Sequence, residues 1–113
     1  MGDGRGGQRA KNREVLGLLK KHGDALTNVR EIDHWVYFPT AEDRSRFVDA
    51  CATAGFRLRN TSESAVSGLK YGARIFHADV PTESVLHDVT TQISVLAAAS
   101  DGEYDGFETQ VIE

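Results

Sequence analysis

The order in which the hydrophobic period changes along the chain is the feature that most restricts its fold. Segments in which every second residue is apolar predict strands, whereas apolar residues three and four apart predict helices. The clearest strand, within residues 29–39, places Ile32, His34, Val36 and Phe38 on one face and ends before Pro39. This strand is the reference against which the other segments can be arranged.

The remaining segments complete an alternating order of helices and strands. Thr40 and Asp43 resemble a capping box that opens the second helix, and Gly55 closes it. In chain order the patterns predict a helix over 9–22, a strand over 29–39, a helix over 41–54, a strand over 56–60, a polar loop over 61–68, a strand over 69–80, a helix over 82–100 and a strand over 104–112.

After its first helix, this order is typical of the ferredoxin-like, split βαβ arrangement. We therefore predict an α+β fold with a four-stranded antiparallel sheet in the order 4-1-3-2 and an extra N-terminal helix. The helices over 41–54 and 82–100 are expected on a single face of this sheet.

The length of 113 residues predicts one domain, which we place over residues 9–113. Residues 1–8 are rich in glycine and are expected to form a flexible tail. The sequence has one cysteine, Cys51, which excludes an internal disulfide and a four-cysteine zinc site. Because no apolar run is long enough to span a membrane, we expect a cytoplasmic protein without membrane contact.

Charge is distributed unevenly along the chain. Residues 1–30 contain seven Lys or Arg and three acids, residues 31–78 contain six of each, and residues 79–113 contain eight acids and no base. Such asymmetry is typical of a surface that attracts a basic partner, or of a solvated acidic surface that keeps a protein soluble.

The predicted first strand raises a question about its second face. Glu31, Asp33, Trp35 and Tyr37 alternate with the apolar residues and should lie opposite the two helices. An acidic and aromatic stripe of this kind could bind a protein, since aromatic side chains often dominate binding energy. The alternative is that the first helix covers this face.

Candidates for catalysis and metal binding are few. His77 and Asp79 would share one side of a strand and could in principle bind a metal, but no histidine pair has the helical spacing of a zinc protease. His34 and Cys51 fall in apolar stripes, which favours structural roles in the core. We therefore expect neither an enzyme nor a cofactor, and no catalytic or metal-ligating residues.

Nucleic-acid binding is a further possibility for a ferredoxin-like sheet. Arg57, Arg59, Lys70 and Arg74 could form a basic patch if they share a face. However, the aromatic residues of the first strand alternate with acids that would repel phosphate. Direct binding of RNA is therefore not expected.

Three stretches resemble one protein family. The run REIDHWVYFPTAEDRSRF, the glycine after the second helix and the terminal GEYDGFET are similar to the regulator of ribonuclease activity B family, small bacterial proteins whose better-known members inhibit ribonuclease E. The resemblance covers roughly residues 12–112. Its most specific part is the run from Glu103 to Gly106, after which the family usually has Trp where this chain has Phe107.

The resemblance implies a ferredoxin-like fold, no catalytic activity, and regulation of RNA processing and decay by docking on a ribonuclease with a basic segment. Inhibitors of the family tend to carry a longer acidic tail, whereas this sequence stops at Glu113, so the fold can be shared without the partner. The candidate partner-binding residues are Glu31, Asp33, Trp35, Tyr37, Glu103, Tyr104, Asp105 and Phe107. The alternative hypothesis is a binding module or an enzyme that holds a small molecule or metal with the sheet aromatics, His77 and Asp79. The oligomeric state is left open.

Overall fold

The computed structural model describes residues 4–63 and 68–112 of the chain, with side chains from residue 7 onward. Its elements follow the predicted order. They are α1 (Gly4–Lys21), β1 (Arg30–Phe38), α2 (Ala41–Thr53), β2 (Arg57–Glu63), β3 (Tyr71–Asp79), α3 (Glu83–Ala99) and β4 (Glu103–Thr109). Among these helices, none is both long enough and apolar enough to cross a membrane.

The four strands form one antiparallel sheet in the order β2-β3-β1-β4, which is the predicted order counted from the other edge. β1 lies in the centre, where His34 is opposite Ile75 on one side and opposite Phe107 on the other. The predicted α+β fold is therefore confirmed. This topology places the first and last strands of the sheet side by side.

All three helices lie on the same face of the sheet, which we call the inner face. One group of buried side chains joins β1 and β3 to α2 and α3, and its members include Val36, Phe38, Phe47, Ile75 and Ile93. A second group joins α1 to the sheet, through Leu16 and Leu19 against Ile32 and Leu86. The predicted placement of α2 and α3 on a single face is correct, and α1 lies on that face as well.

Local sequence signals set the ends of α2 and α3. Thr40 accepts a hydrogen bond from the backbone N–H of Asp43 at 3.0 Å, and Thr82 accepts one from Val85 at 3.1 Å. Each of these bonds satisfies a backbone donor that the first turn of a helix leaves free. Gly55 follows α2 with a positive φ of 96°, a conformation that glycine adopts without steric cost.

Two predicted boundaries are wrong. Residues 4–8 were expected in a flexible tail but form the start of α1, whereas residues 1–3 lie outside the described residues. The low helix propensity of glycine hid this extension, which the Gln8 side chain supports by donating a hydrogen bond to Asn12 at 2.8 Å.

β2 is also longer than predicted. It continues to Glu63 through residues that were expected in a polar loop, and the central part of that loop, residues 64–67, lies outside the described residues. All seven residues of β2, which is an edge strand, are exposed. An edge strand without a buried face lacks the apolar alternation by which strands are recognised in a sequence.

Candidate functional site

The second face of the sheet, which we call the outer face, is open over the described part of the chain. The alternative in which α1 covers it is wrong, since Leu16 and Leu19 of α1 pack against the inner-face residue Ile32. Trp35 and Tyr37 of β1 consequently lie half-buried on a face that no described helix covers. This face is the candidate functional site.

Trp35 is stacked against its neighbour on β3. The two strands place Trp35 opposite Arg74, and the guanidinium carbon of Arg74 lies 4.6 Å from the centroid of the Trp35 ring. A cation stacked on a tryptophan ring at this distance is stabilised by the ring's electron density. The indole is thus fixed in orientation while it remains partly accessible.

Tyr37 lies over a glycine. Gly72 of β3 is its cross-strand neighbour, and a Cβ atom added there would lie 2.9 Å from Cε1 of Tyr37. Real Cβ atoms are not found so close to a ring carbon. Gly72 therefore makes room for the Tyr37 ring to lie across β3, a contribution that the sequence pattern did not reveal.

The acids of β1 are paired with arginines, which corrects the expectation of an acidic stripe. Asp33 is buried and accepts two hydrogen bonds from Arg59, at 2.7 and 3.1 Å, and one from Arg74 at 2.5 Å. Glu31 accepts a further bond from Arg59 at 2.5 Å. These two carboxylates, Glu31 first, raise the pKa of Arg59. The charges of this region are balanced because the register of three strands brings the arginines to the acids.

Three of the four cations considered for RNA binding share the outer face. Arg59 and Arg57 lie 3.9 and 5.6 Å from the ring centroid of Phe76, and Arg74 covers Trp35. Guanidinium groups therefore already occupy the aromatic surfaces on which bases would stack. This arrangement gives no support to a binding platform for RNA.

On β4, next to Trp35, three acids form no ion pair with the described residues. Glu103, Asp105 and Glu108 are exposed on this edge strand. Gly106 lies opposite Trp35, and the register of β4 shifts by a β-bulge at this point, where Gly106 has a φ of 146°. The structure thus brings Asp105 beside Trp35, as the predicted strand order requires.

Tyr104 and Phe107 do not belong to the outer face. Tyr104 lies opposite Val36, Phe107 lies opposite His34, and both aromatic side chains pack into the inner core. A regular strand would place residues three apart on opposite faces, but the bulge inserts one extra residue between them. The structure therefore separates these two aromatics from the other predicted partner-binding residues.

Comparison with known proteins identifies the family of the chain. A family model described as Regulator of ribonuclease activity B matches residues 9–109. The chain belongs to the regulator of ribonuclease activity B family. No curated protein sequence matches the chain. The suspected family is confirmed, and it implies a ribonuclease as the protein partner.

Beneath the open face, this member of the regulator of ribonuclease activity B family contains a chain of polar groups that runs from Tyr104 through the buried His34 to the half-exposed Asp79. Nδ1 of His34 lies 2.8 Å from the Tyr104 hydroxyl, its Nε2 lies 2.9 Å from Nε2 of His77, and Nδ1 of His77 lies 2.9 Å from Asp79. Burial and, second, the neighbouring His77 lower the pKa of His34 to about 3. Burial raises the pKa of Tyr104, and Asp105 adds to this effect. His34 is therefore a neutral, hydrogen-bonded core residue, as predicted.

The alternative site built from the sheet aromatics, His77 and Asp79 is wrong. His77 lies opposite Ile32, and its ring meets the ring of the inner-face residue Phe56 edge-on, with the ring centroids 5.4 Å apart. Trp35 and Tyr37, in contrast, lie on the outer face. The sheet itself separates the two groups. Within residues 4–63 and 68–112, no group of three or more His, Cys, Asp or Glu side chains could hold a metal.

Cys51 belongs to the core of α2. It is 1% exposed, and burial raises the pKa of its thiol to about 12. A cysteine acts as a nucleophile only as a thiolate, so this residue is held in its unreactive form near neutral pH. The predicted structural role of Cys51 agrees with this environment.

Proposed function

We propose that this protein is a non-catalytic regulator that binds a ribonuclease through a docking surface made of Trp35 and Tyr37 on the outer face and Glu103, Asp105 and Glu108 on β4. The observation that carries the proposal is the open position of Trp35 beside the bulge at Gly106. Membership of a family that regulates ribonuclease activity supports a protein partner of this class.

The charges of β4 suit a basic segment of the partner. Three exposed carboxylates on one edge strand attract positive charge over a distance of about 10 Å at moderate salt. Such exposed charges mainly increase the rate of association, and this increase falls as salt is added. Glu103, Asp105 and Glu108 are therefore assigned to steering the partner toward the surface.

Trp35 and Tyr37 are assigned a different role. Arg74 stacks on the Trp35 ring, and Gly72 leaves room for the Tyr37 ring against β3. Because both rings already have defined positions, binding a partner would cost little side-chain entropy. A fixed aromatic ring near the centre of an interface can contribute about 2 kcal/mol or more to binding. These residues would anchor the partner after encounter and so control its dissociation.

Glu31 and Asp33 contribute indirectly to this surface. Both are engaged by Arg59, and Asp33 also holds Arg74 against Trp35. We therefore assign these acids to positioning the arginines rather than to direct contact with a basic segment. Tyr104 and Phe107 support the same surface from the core, because they fix β4 on either side of its bulge.

Binding kinetics with a ribonuclease fragment that carries a basic segment test the proposal. We expect Asp105→Lys to slow association and to weaken its dependence on salt, and Trp35→Ala chiefly to speed dissociation. Asp88→Lys is the matched control for charge, since Asp88 is exposed on α3 at a distance from the docking surface. Leu18→Ala is the control for loss of an exposed apolar side chain.

The controls distinguish the docking surface from general effects. Asp88→Lys changes the net charge by the same amount as Asp105→Lys, and it should leave most of the association rate intact. If folded Trp35→Ala and Asp105→Lys both bind with wild-type kinetics, the outer face and β4 are not the docking surface.

A further inference from the structure

A groove of about 690 Å³ lies between α1, α3 and the beginning of β4. This volume falls within the range of roughly 300–1,000 Å³ that small-molecule sites occupy. It lies on the helical side of the protein and meets the docking surface only at Glu103. Its lining combines charged, hydroxyl and apolar side chains, including Arg9, Lys11, His87, Ser94, Val95 and Ala98.

The floor of the groove is polar, although it lies where α1 packs against α3. Asn12 is fully buried there, and its Nδ2 atom donates a hydrogen bond to Thr90 Oγ1 at 3.1 Å. Its Oδ1 atom accepts a bond from Gln8 at 2.8 Å. Buried polar groups are costly unless every donor and acceptor finds a partner. The partners of this cluster can therefore be traced one by one.

The hydrogen bonds fix the orientation of Asn12 and the tautomer of His87. The hydroxyl of Thr90 donates its proton to the carbonyl of Leu86 at 2.7 Å, so Thr90 must accept from the nitrogen of Asn12. The same nitrogen lies 3.4 Å from Nδ1 of His87. Since an amide nitrogen only donates, Nδ1 of His87 is the acceptor. In the neutral imidazole the proton is then on Nε2.

This Nε2–H group is the one buried side-chain donor of the described residues that has no hydrogen-bond partner. Leaving such a donor unpaired is energetically unfavourable. Nε2 has almost no accessible surface, so an acceptor on a ligand reaches it only when the His87 ring turns toward the groove that this residue lines. Such a turn would give the donor a partner that it lacks in the free protein.

The remaining lining indicates the charge and shape of the ligand. Arg9 and Lys11 supply two cations against the single acid Glu103, which favours an anion. Val95 has 59% of its surface exposed and, with Ala98, offers an apolar wall. We propose that this groove binds a small organic anion, with its carboxylate or phosphate near His87 and an apolar moiety against Val95. Such a site goes beyond the proposed function and does not depend on it.

Titration of the isotope-labelled protein, followed by NMR, tests this site. The probes are octanoate as a carboxylate and adenosine monophosphate as a phosphate ester, and octanol and adenosine are their neutral counterparts. We expect at least one anion to produce saturable shifts at His87, Thr91 and Val95 and to shift the Nε2 resonance of His87. The neutral counterparts should bind at least about tenfold more weakly.

Two variants connect binding to the proposed contacts. His87→Phe keeps a ring but removes the donor, and it should weaken binding of the anion about tenfold, whereas the control His22→Phe should not. Lys11→Glu changes only an exposed side chain at the rim, so it keeps the test valid if the core variant fails to fold. The proposal is overturned if neither anion gives saturable shifts in the groove, or if Lys11→Glu and His87→Phe leave the affinity unchanged.

Discussion

A buried ion pair ties the C-terminal segment to the loop before β1. Arg30 and Asp24 form a two-pronged contact, in which Nη1 of Arg30 donates to Oδ2 and Nη2 donates to Oδ1 at 3.0 Å. Asp24 also accepts backbone hydrogen bonds from Leu26 at 2.8 Å and from Ile112 at 3.0 Å. Arg30 donates in turn to the carbonyl of Gln110 at 3.1 Å. This clamp holds the chain just after β4.

Asp24→Asn would leave the charge of Arg30 buried without its carboxylate. Removing one partner of a buried ion pair costs about 3–5 kcal/mol. Arg30 keeps the carbonyls of Asn28 and Gln110 as hydrogen-bond acceptors. We therefore expect Asp24→Asn to lower the free energy of unfolding by about 3 kcal/mol, the lower end of this range. For a chain of this size, that loss lowers the melting temperature by about 12 °C.

The effect of Asp24→Asn should depend on pH. The hydrogen bond from Arg30, followed by the backbone bonds, holds the pKa of Asp24 well below its usual range. The unfolded chain binds a proton at this carboxyl near pH 4, whereas the folded chain does not until a lower pH. The stabilisation by Asp24 is therefore complete above about pH 4 and is lost as the pH falls through the folded pKa.

Urea unfolding followed by circular dichroism measures both effects. The difference in unfolding free energy between wild type and Asp24→Asn should be constant from pH 7 to about pH 5 and should shrink below about pH 4. Glu83→Gln is the control, because Glu83 pairs with Arg13 in an exposed position and this substitution should cost much less stability than Asp24→Asn. If Asp24→Asn costs no more than Glu83→Gln at neutral pH, the clamp does not stabilise the fold.

Three further predictions concern single residues. Cys51→Ala should cost about 1 kcal/mol in urea unfolding and leave partner binding unchanged, and the native thiol should resist a disulfide reagent; rapid labelling contradicts its burial. Gly72→Val should displace the ring of Tyr37 and speed dissociation of the partner, with a circular dichroism spectrum that stays like that of wild type; unchanged kinetics contradict the role of Tyr37. His34 should remain neutral in NMR titration down to about pH 4, and an NMR midpoint near 6.5 contradicts this account. Because the unfolded chain protonates this imidazole near pH 6.5 and the folded chain does not, the contribution of His34 to stability is present above about pH 6.5 and declines as the pH falls.

The fold could be predicted because its central strand carries a strong local signal. Ile32, His34, Val36 and Phe38 take alternate positions on one buried face, and Thr40 caps the following helix with its own side chain. These features depend only on neighbours in sequence. Once the segments were placed in order, the right-handed crossovers of such folds left few arrangements of the sheet.

The composition of the docking surface could be predicted only in part, because it depends on register. That Asp33 meets Arg59 and Arg74 follows from the alignment of β1 with β3 and β2, which no local pattern specifies. The bulge on β4 places Phe107 on the inner face. One inserted residue is enough to move the side chains that follow it to the opposite face of the sheet.

For a similar reason, the sequence pattern could not predict the position of α1 or the clamp between Asp24 and Arg30. An amphipathic helix can pack on either face of a sheet, and Leu16 and Leu19 do not specify which. Asp24 and Arg30 lie in or next to a loop, and their partners at Gln110 and Ile112 are distant in sequence. Such contacts become visible only when the ends of the chain are placed in space.

The central claim is that a ribonuclease partner covers Trp35 on the outer face. Cross-saturation NMR tests it directly, because irradiation of an unlabelled partner attenuates only those signals of the deuterated regulator that lie at the interface. We predict the strongest attenuation at the Trp35 indole and at the backbone amides of Asp105 and Gly106, with little effect on α1. Attenuation confined to the helices, with an unaffected Trp35 indole in a saturated complex, would contradict the account.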